Sequence, residues 1–211
     1  MTEVGPSRTV RHRETAILRA VQDTLAAPAV LGSARGLSLF GEHAAGWLVV
    51  GALGAVLDRR RRGDWMLAAS GVAVAHGLSV GVKRVVRRRR PDDSAVRTLV
   101  STPSALSFPS AHAASTTAAS VVYGALTGRR LTPVLVPPML VSRLVLGVHF
   151  PTDVLAGSVL GAAVAAGVRR LLSSPASRDP VSATGPDVFH PSTKRLVTEE
   201  PLFRRWHHHR R

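Results

Sequence analysis

Cysteine is absent from these 211 residues, which excludes disulfides, thiol nucleophiles and thiolate metal sites. Aromatic residues are scarce: three Trp, one Tyr and five Phe are too few for an RNA-stacking surface. Acidic residues are outnumbered, 13 Asp and Glu against 28 Lys and Arg, giving a net charge of +15. The opening "MTEVGPSRTVRHRETAILRAVQ" is basic but lacks a continuous apolar core before Arg19, so it is not expected to act as a secretory signal.

A charge of this size first suggests a nucleic acid or an anionic membrane surface as partner. The cations, however, come in blocks separated by long stretches nearly free of charge, which is a membrane pattern. No nucleic-acid partner is therefore expected. Five stretches could span a bilayer: 39–57, 65–82, 109–127, 131–148 and 153–172. Eighteen helical residues cover about 27 Å, close to the roughly 30 Å of hydrocarbon. Their content of Gly, Ala and Ser suits close packing between membrane helices. The expected fold class is all-α, a polytopic transmembrane helical bundle of about five spans.

Around this bundle, residues 1–38 read as an N-terminal amphipathic segment. Ile17, Leu18, Val21 and Leu25 line one helical face of 14–31, a helix expected to lie on the membrane. Residues 39–172 form the expected membrane domain. Residues 173–211, rich in Ser, Pro, Arg and His, read as a disordered basic tail, with the closing "WHHHRR" a solvated end.

Between the second and third spans, "KRVVRRRR" holds six cations in eight residues. Each would cost ~2.5–3.5 kcal/mol at the membrane midplane, so the block must sit at or beyond the interface. Because successive spans alternate direction, the end of the second, the start of the third, the end of the fourth and the start of the fifth share one side. Three polar blocks, "KRVVRRRRP", "PSAH" and "SRLVLGVHFPTD", therefore converge on one membrane face.

Each block suits a phosphate. If the second helix continues past its span, Lys83 and Arg90, seven apart, project from one side. Arg143 offers a planar fork for phosphate oxygens, Ser110 a hydroxyl, and the start of the third helix free N–H groups. Two histidines turn this cradle into a reaction centre. His149 lies just before a helix opened by Pro151, within reach of Asp153, which can bond one imidazole nitrogen and leave the other as a nucleophile. His112, from a different helix, is placed to protonate the leaving oxygen. His76 reads as a packed histidine within its span, while Glu42 and His43 either line the site or mark the interface.

At these residues the sequence resembles the type 2 phosphatidic acid phosphatase and vanadium haloperoxidase superfamily. The family pattern K-x₆-R-P, P-S-G-H, S-R-x₅-H-x₃-D reads here as Lys83 to Arg90-Pro91, Pro109-Ser110-Ala111-His112, and Ser142-Arg143 to His149 to Asp153. The resemblance implies a helical membrane bundle and a phosphatase, independent of metal and cofactor, that passes through a phosphohistidine. It implies His149 as nucleophile, Asp153 as its orienting partner and His112 as general acid. Lys83, Arg90, Ser110, Ala111 and Arg143 would hold the phosphate. Ala111 departs from the family's Gly: the backbone N–H survives, but a methyl faces the phosphate and a positive φ would be costly. The segment "GEHAAGW" also resembles the actinobacterial branch proposed to act on decaprenylphosphoryl-5-phosphoribose phosphate.

The function expected is that of an integral membrane lipid phosphate phosphatase cleaving a phosphomonoester or diphosphate of a polyprenyl or glycerolipid carrier. The alternatives are a silent membrane protein binding anionic headgroups, which needs neither histidine, and a vanadate-dependent peroxidase, which would be soluble. Basic loops opposite the site, "DRRRR" at 58–62, Arg129-Arg130 and Arg169-Arg170, point to a plasma-membrane protein with an extracytoplasmic site.

Overall fold

Proline and glycine punctuate the described residues into seven α-helices. A computed structural model describes residues 8–173 apart from Ala95. The helices are α1 (Arg8–Leu25), α2 (Pro28–Gly41), α3 (Ala45–Leu57), α4 (Arg62–Val86), α5 (Ala111–Thr127), α6 (Thr132–Val145) and α7 (Pro151–Ser173). Pro28 and Pro151 each stand at the first position of a helix, where a missing N–H costs nothing. Gly128, at φ 68°, closes α5 in the left-handed geometry that glycine adopts without penalty.

α5 is the axis. Thirteen of its seventeen residues are buried, and α4, α6 and α7 pack around it. Its small residues let α7 approach closely: a Cβ on Gly157 would fall 2.3 Å from the carbonyl oxygen of Ser110, and one on Gly161 2.2 Å from that of Ala114. The two backbones meet with no side chain between them, a mode of contact common in membrane bundles. Toward the other end of α5, Trp47, Trp65, Val72, Val122, Tyr123 and Val168 form the largest apolar cluster. Two polar ties fix its register, Trp47 Nε1 donating to Thr116 Oγ1 at 3.0 Å and the Tyr123 hydroxyl donating to the Trp47 carbonyl at 2.9 Å. Such interhelical bonds average about 0.6 kcal/mol in a membrane, so they set register more than stability.

The outer faces are apolar. Val49, Leu53, Val56, Met66, Val74, Leu78, Leu155 and Val159 are all exposed, the inverse of a water-soluble bundle. Three helical stretches are long and apolar enough to cross a membrane: Pro28–Leu57, Arg59–Val86 and Pro151–Ser173. The all-α membrane bundle is as expected: the expected spans 39–57, 65–82 and 153–172 fall within these stretches, and 131–148 overlaps the shorter apolar α6. α5 and α6, with 17 and 14 residues, reach only about 25 and 21 Å at 1.5 Å per residue.

The N-terminal part differs from its expected form. The chain breaks at Ala26-Ala27 into two helices, and the expected boundary at residue 38 falls inside α2. The protein-facing stripe of α1 is Glu14, Leu18 and Gln22, while Ile17 and Leu25 are exposed. Gln22 ties α1 to the core: its Nε2 donates to the carbonyls of Arg97 at 2.7 Å and Val145 at 3.0 Å, and its Oε1 accepts from Arg97 N at 3.0 Å. The tail expected from residue 174 onward lies outside the described residues.

Candidate active site

The cationic block does not continue as helix. α4 ends at Val86, and Arg87 turns the chain in the left-handed region at φ 53°. From there the chain is extended, with an isolated antiparallel bridge between Arg89 and Leu106. The side-chain period changes from 3.6 to 2. Arg88 and Arg90 therefore turn inward, and Arg87 and Arg89 stay exposed. Lys83 and Arg90 do face one cavity, but from a helix end and an extended segment rather than from two turns of one helix.

That cavity has a volume of about 390 Å³. Lys83, Arg90, Ala111, His112, Arg143 and His149 line it, drawn from α4, the 87–110 segment, α5, α6 and the turn before α7. The three sequence blocks thus meet at one end of the bundle. Lys83 Nζ donates to the carbonyls of Leu106 at 3.2 Å and Ser107 at 2.9 Å. Arg143, buried to 2% exposure, donates from Nη1 to Ser38 Oγ at 3.0 Å. Ala111 opens α5 and is not among the residues of positive φ, so its methyl group brings no backbone strain.

Ser110 and Asp153 stand behind the cavity wall. Ser110 is fully buried and caps α5, its hydroxyl accepting from Ala113 N at 3.4 Å. Asp153 Oδ2 accepts from Phe150 N at 2.8 Å and lies 3.6 Å from His149 Nδ1. On the other side of the imidazole, Arg90 Nη1 lies 3.2 Å from His149 Nε2. A guanidinium can only donate, so Nε2 is the lone-pair nitrogen and Nδ1 carries the hydrogen that faces Asp153. His112 Nε2 donates to the Ser38 carbonyl at 3.0 Å.

The electrostatics follow from burial and crowding. His149 is held well below the usual imidazole value, first by burial and then by the charges of Arg90, Lys83 and Arg143, with a smaller effect of His112. It is neutral at physiological pH. Burial also lowers Arg90 to about 10, opposed by the attraction of Asp153, and this residue keeps its charge.

Sequence reasoning missed several lining residues. Ser38 of α2 and Ser101, Thr102 and Ser104 of the loop carried no signal beyond polarity. Glu42 and His43 line the cavity rather than merely marking an interface, and so does His76. His76 reaches the cavity from α4, while Glu42 and His43 sit in a tight turn between α2 and α3 in which His43 and Ala44 both have positive φ, 51° and 60°. Each such residue costs ~1–2 kcal/mol without glycine, strain of the kind that gathers at working sites. Glu14 and Arg88, behind Asp153, were also missed.

Known proteins resemble this chain in sequence and in fold. The PAP2 superfamily profile matches residues 64–174. A decaprenylphosphoryl-5-phosphoribose phosphatase from Mycobacterium tuberculosis is 54% identical over 154 residues, covering 72% of this chain and 87% of that protein. One from Mycolicibacterium smegmatis is 53% identical over 145 residues, covering 68% of this chain and 81% of the relative. Among solved structures, a transmembrane PAP2-type phosphatidylglycerolphosphate phosphatase from Bacillus subtilis superposes with a TM-score of 0.67 at 24% identity, covering 78% of this chain and 87% of its own. It shares the fold. With apolar helices long enough to cross a bilayer, three ordered motifs at one end of them and this kinship, the chain is an integral membrane protein that belongs to the PAP2 superfamily.

Proposed function

We propose that this chain is a lipid phosphate phosphatase that hydrolyses a phosphomonoester on a polyprenyl-linked carrier through a phosphohistidine at His149. The observation that carries the reading is a neutral, buried imidazole on the wall of a cavity shared with Lys83, Arg90, Arg143 and a second histidine, its lone-pair nitrogen held by Arg90. The three cations supply the charge stabilisation that phosphoryl transfer requires. Nε2 of His149 forms a bond to phosphorus as the bond from phosphorus to the leaving alcohol breaks. His112, entering the step protonated on both nitrogens, gives that alcohol the proton that its bond to the Ser38 carbonyl does not hold, and is left neutral. A water then attacks the phosphoimidazole and yields a proton to His112, and the P–N bond breaks to release phosphate and restore both histidines. Asp153 faces Nδ1–H and offsets the positive charge of the phosphorylated ring.

The names of the two mycobacterial relatives support a polyprenyl-phosphoribose phosphate as substrate. Glu42, His43 and the Ser101–Ser104 stretch add hydrogen-bonding groups beyond the cations, suited to a hydroxylated headgroup. We place the domain that does this work at residues 39–172, with the site on the extracytoplasmic face of the plasma membrane. The basic loops at 58–62, 129–130 and 169–170 support that orientation.

The test is phosphate release by purified protein from polyprenyl-phosphoribose phosphates, polyprenyl phosphates and diphosphates, and glycerolipid phosphates. Release from a polyprenyl-linked monoester, undiminished by EDTA and inhibited by vanadate, is the expected result. No release from any of them, or loss on chelation restored by Mg²⁺, would overturn the mechanism. The native chain has no cysteine, so cysteines introduced singly at Ser101 and Arg129 report which face each loop occupies.

A further inference from the structure

Behind His149 lies a buried ionic network whose parts come from distant stretches of chain. Arg88 Nη1 donates to Asp153 Oδ1 at 2.9 Å and to Thr152 Oγ1 at 2.6 Å. Its Nη2 donates to Glu14 Oε2. Glu14 Oε1 in turn accepts from the Thr152 hydroxyl at 2.5 Å and from Thr152 N at 3.2 Å. The guanidinium carbon sits 4.2 Å from the centre of the Phe150 ring. The side chains of Glu14, Arg88 and Asp153 are 6%, 4% and 0% exposed, so water cannot screen their charges.

We propose that Glu14 and Arg88 are positioning residues for the reaction, a charge-balanced support that holds Asp153 against His149. The inference rests on the reading of His149 as nucleophile. Arg88 fixes one carboxylate oxygen of Asp153, and Phe150 N fixes the other, the one that faces His149 Nδ1. The carboxylate therefore has one orientation. Charge matters as much as direction. Alone, Arg88 would cancel the charge of Asp153. Glu14 neutralises Arg88, and the trio carries one net negative charge, matched to the one positive charge the ring acquires when phosphorylated. The other charged or titratable groups acting on His149 are Lys83, Arg90, Arg143 and His112, with Glu42, His43, His76 and Arg84 also on the cavity wall. Asp153 is the carboxylate set against the ring itself, 3.6 Å from Nδ1, so its charge acts there directly. The N-terminal helix thereby becomes part of the reaction centre, although it contributes no residue to the cavity wall.

The test uses the full chain in detergent, with 4-nitrophenyl phosphate turnover and vanadate inhibition measured for Glu14→Gln, Arg88→Gln and the double variant. Each single variant should lower kcat roughly 10–100-fold, the usual loss when the partner orienting a functional histidine is removed. Vanadate affinity should change less than threefold, because the cradle is untouched. The double variant restores one net negative charge, so its kcat should exceed the product of the two single effects. The acid limb of kcat/KM should move in opposite directions, to lower pH for Glu14→Gln and to higher pH for Arg88→Gln. Parallel loss of vanadate binding and turnover, or effects that multiply with no opposed pH shifts, would reduce the network to a structural brace and overturn the proposal. If Arg88→Gln fails to fold, Glu14→Gln decides the matter through its kcat-to-vanadate split and the direction of its acid limb. Turnover surviving in His149→Ala would instead defeat the phosphohistidine reading, a separate failure.

Discussion

Arg90 donates a hydrogen bond at 3.2 Å to the lone-pair nitrogen of His149, so the cation proposed to hold phosphate touches the imidazole proposed to attack it. Removing the cation should loosen both. In Arg90→Ala, vanadate should bind at least tenfold more weakly, since a charge-assisted contact is gone. The His149 ring should at the same time protonate more readily, because one of the charges holding it neutral is absent. NMR of the imidazole in the two proteins checks this: an unmoved titration would mean that Arg90 does not act on the ring.

The depressed value of His149 also has a sign in stability. The unfolded chain takes up a proton near pH 6.5, while the buried ring stays neutral to well below that. Stability contributed by the neutral ring is present above pH 6.5 and is lost as pH falls, with a slope approaching about 1.4 kcal/mol per pH unit. Thermal unfolding in detergent should therefore show a weaker dependence between pH 6.5 and 5 in His149→Asn than in the parent protein.

His112 should act on the leaving group. His112→Ala is expected to slow hydrolysis of an alkyl phosphate by roughly 10²–10⁴-fold. A nitrophenyl ester, whose alcohol leaves without much help, should suffer far less. Equal damage to both substrates would remove the proton-donor role.

Gly41 and His112 share a tight space: a Cβ at position 41 would fall 2.7 Å from Cδ2 of the ring. Gly41→Ala should displace the imidazole and reproduce part of the His112→Ala defect, with the same dependence on the leaving group. A Gly41→Ala enzyme with full activity on alkyl phosphates would show that the ring tolerates the shift.

Asp153→Asn and Arg143→Ala should separate chemistry from binding. The first keeps size but removes the charge facing Nδ1, so turnover should fall while vanadate still binds with modest loss. The second removes a fork-shaped cation from the cavity, and anion affinity itself should drop. If Asp153→Asn loses vanadate as severely as Arg143→Ala, the aspartate organises the whole cradle.

Much of the cradle could be read from one chain because its chemistry lies in three short blocks, and alternating helix direction brings those blocks to one end. Lys83, Arg90, His112, Arg143 and His149 face one cavity for that reason. Arg88 was hidden inside a run of four arginines. Only the break at Arg87, where helical spacing gives way to alternation, distinguishes it from Arg89, and no residue type announces that break. Glu14 was lost differently. The apolar spacing of Ile17, Leu18, Val21 and Leu25 pointed to one face of α1, whereas Glu14 and Gln22 find buried partners 74 and 123 residues away and turn another face inward. Long-range polar pairing of this kind has no period. The five-span reading rests on apolar length, which does not tell a lipid-facing helix from one covered by its neighbours, as α5 is.

The backbone contact between α5 and α7 bears on how the site can move. His112 rides on the first turn of α5, and His149 is tethered to α7 through Pro151, with Gly157 seated against the Ser110 carbonyl between them. Side chains can compress or change rotamer, but two backbones in contact can do neither. The spacing of the two helices that carry the proposed proton donor and nucleophile is therefore gauged by the thickness of the main chain. Elsewhere on the cavity wall, Ser38 stands on α2, Glu42 on the turn after it, and the Ser101–Ser104 stretch on a loop, so we expect any opening for the proposed lipid headgroup there. On that expectation one side of the proposed site is set by backbone and the other is left to side chains and loop.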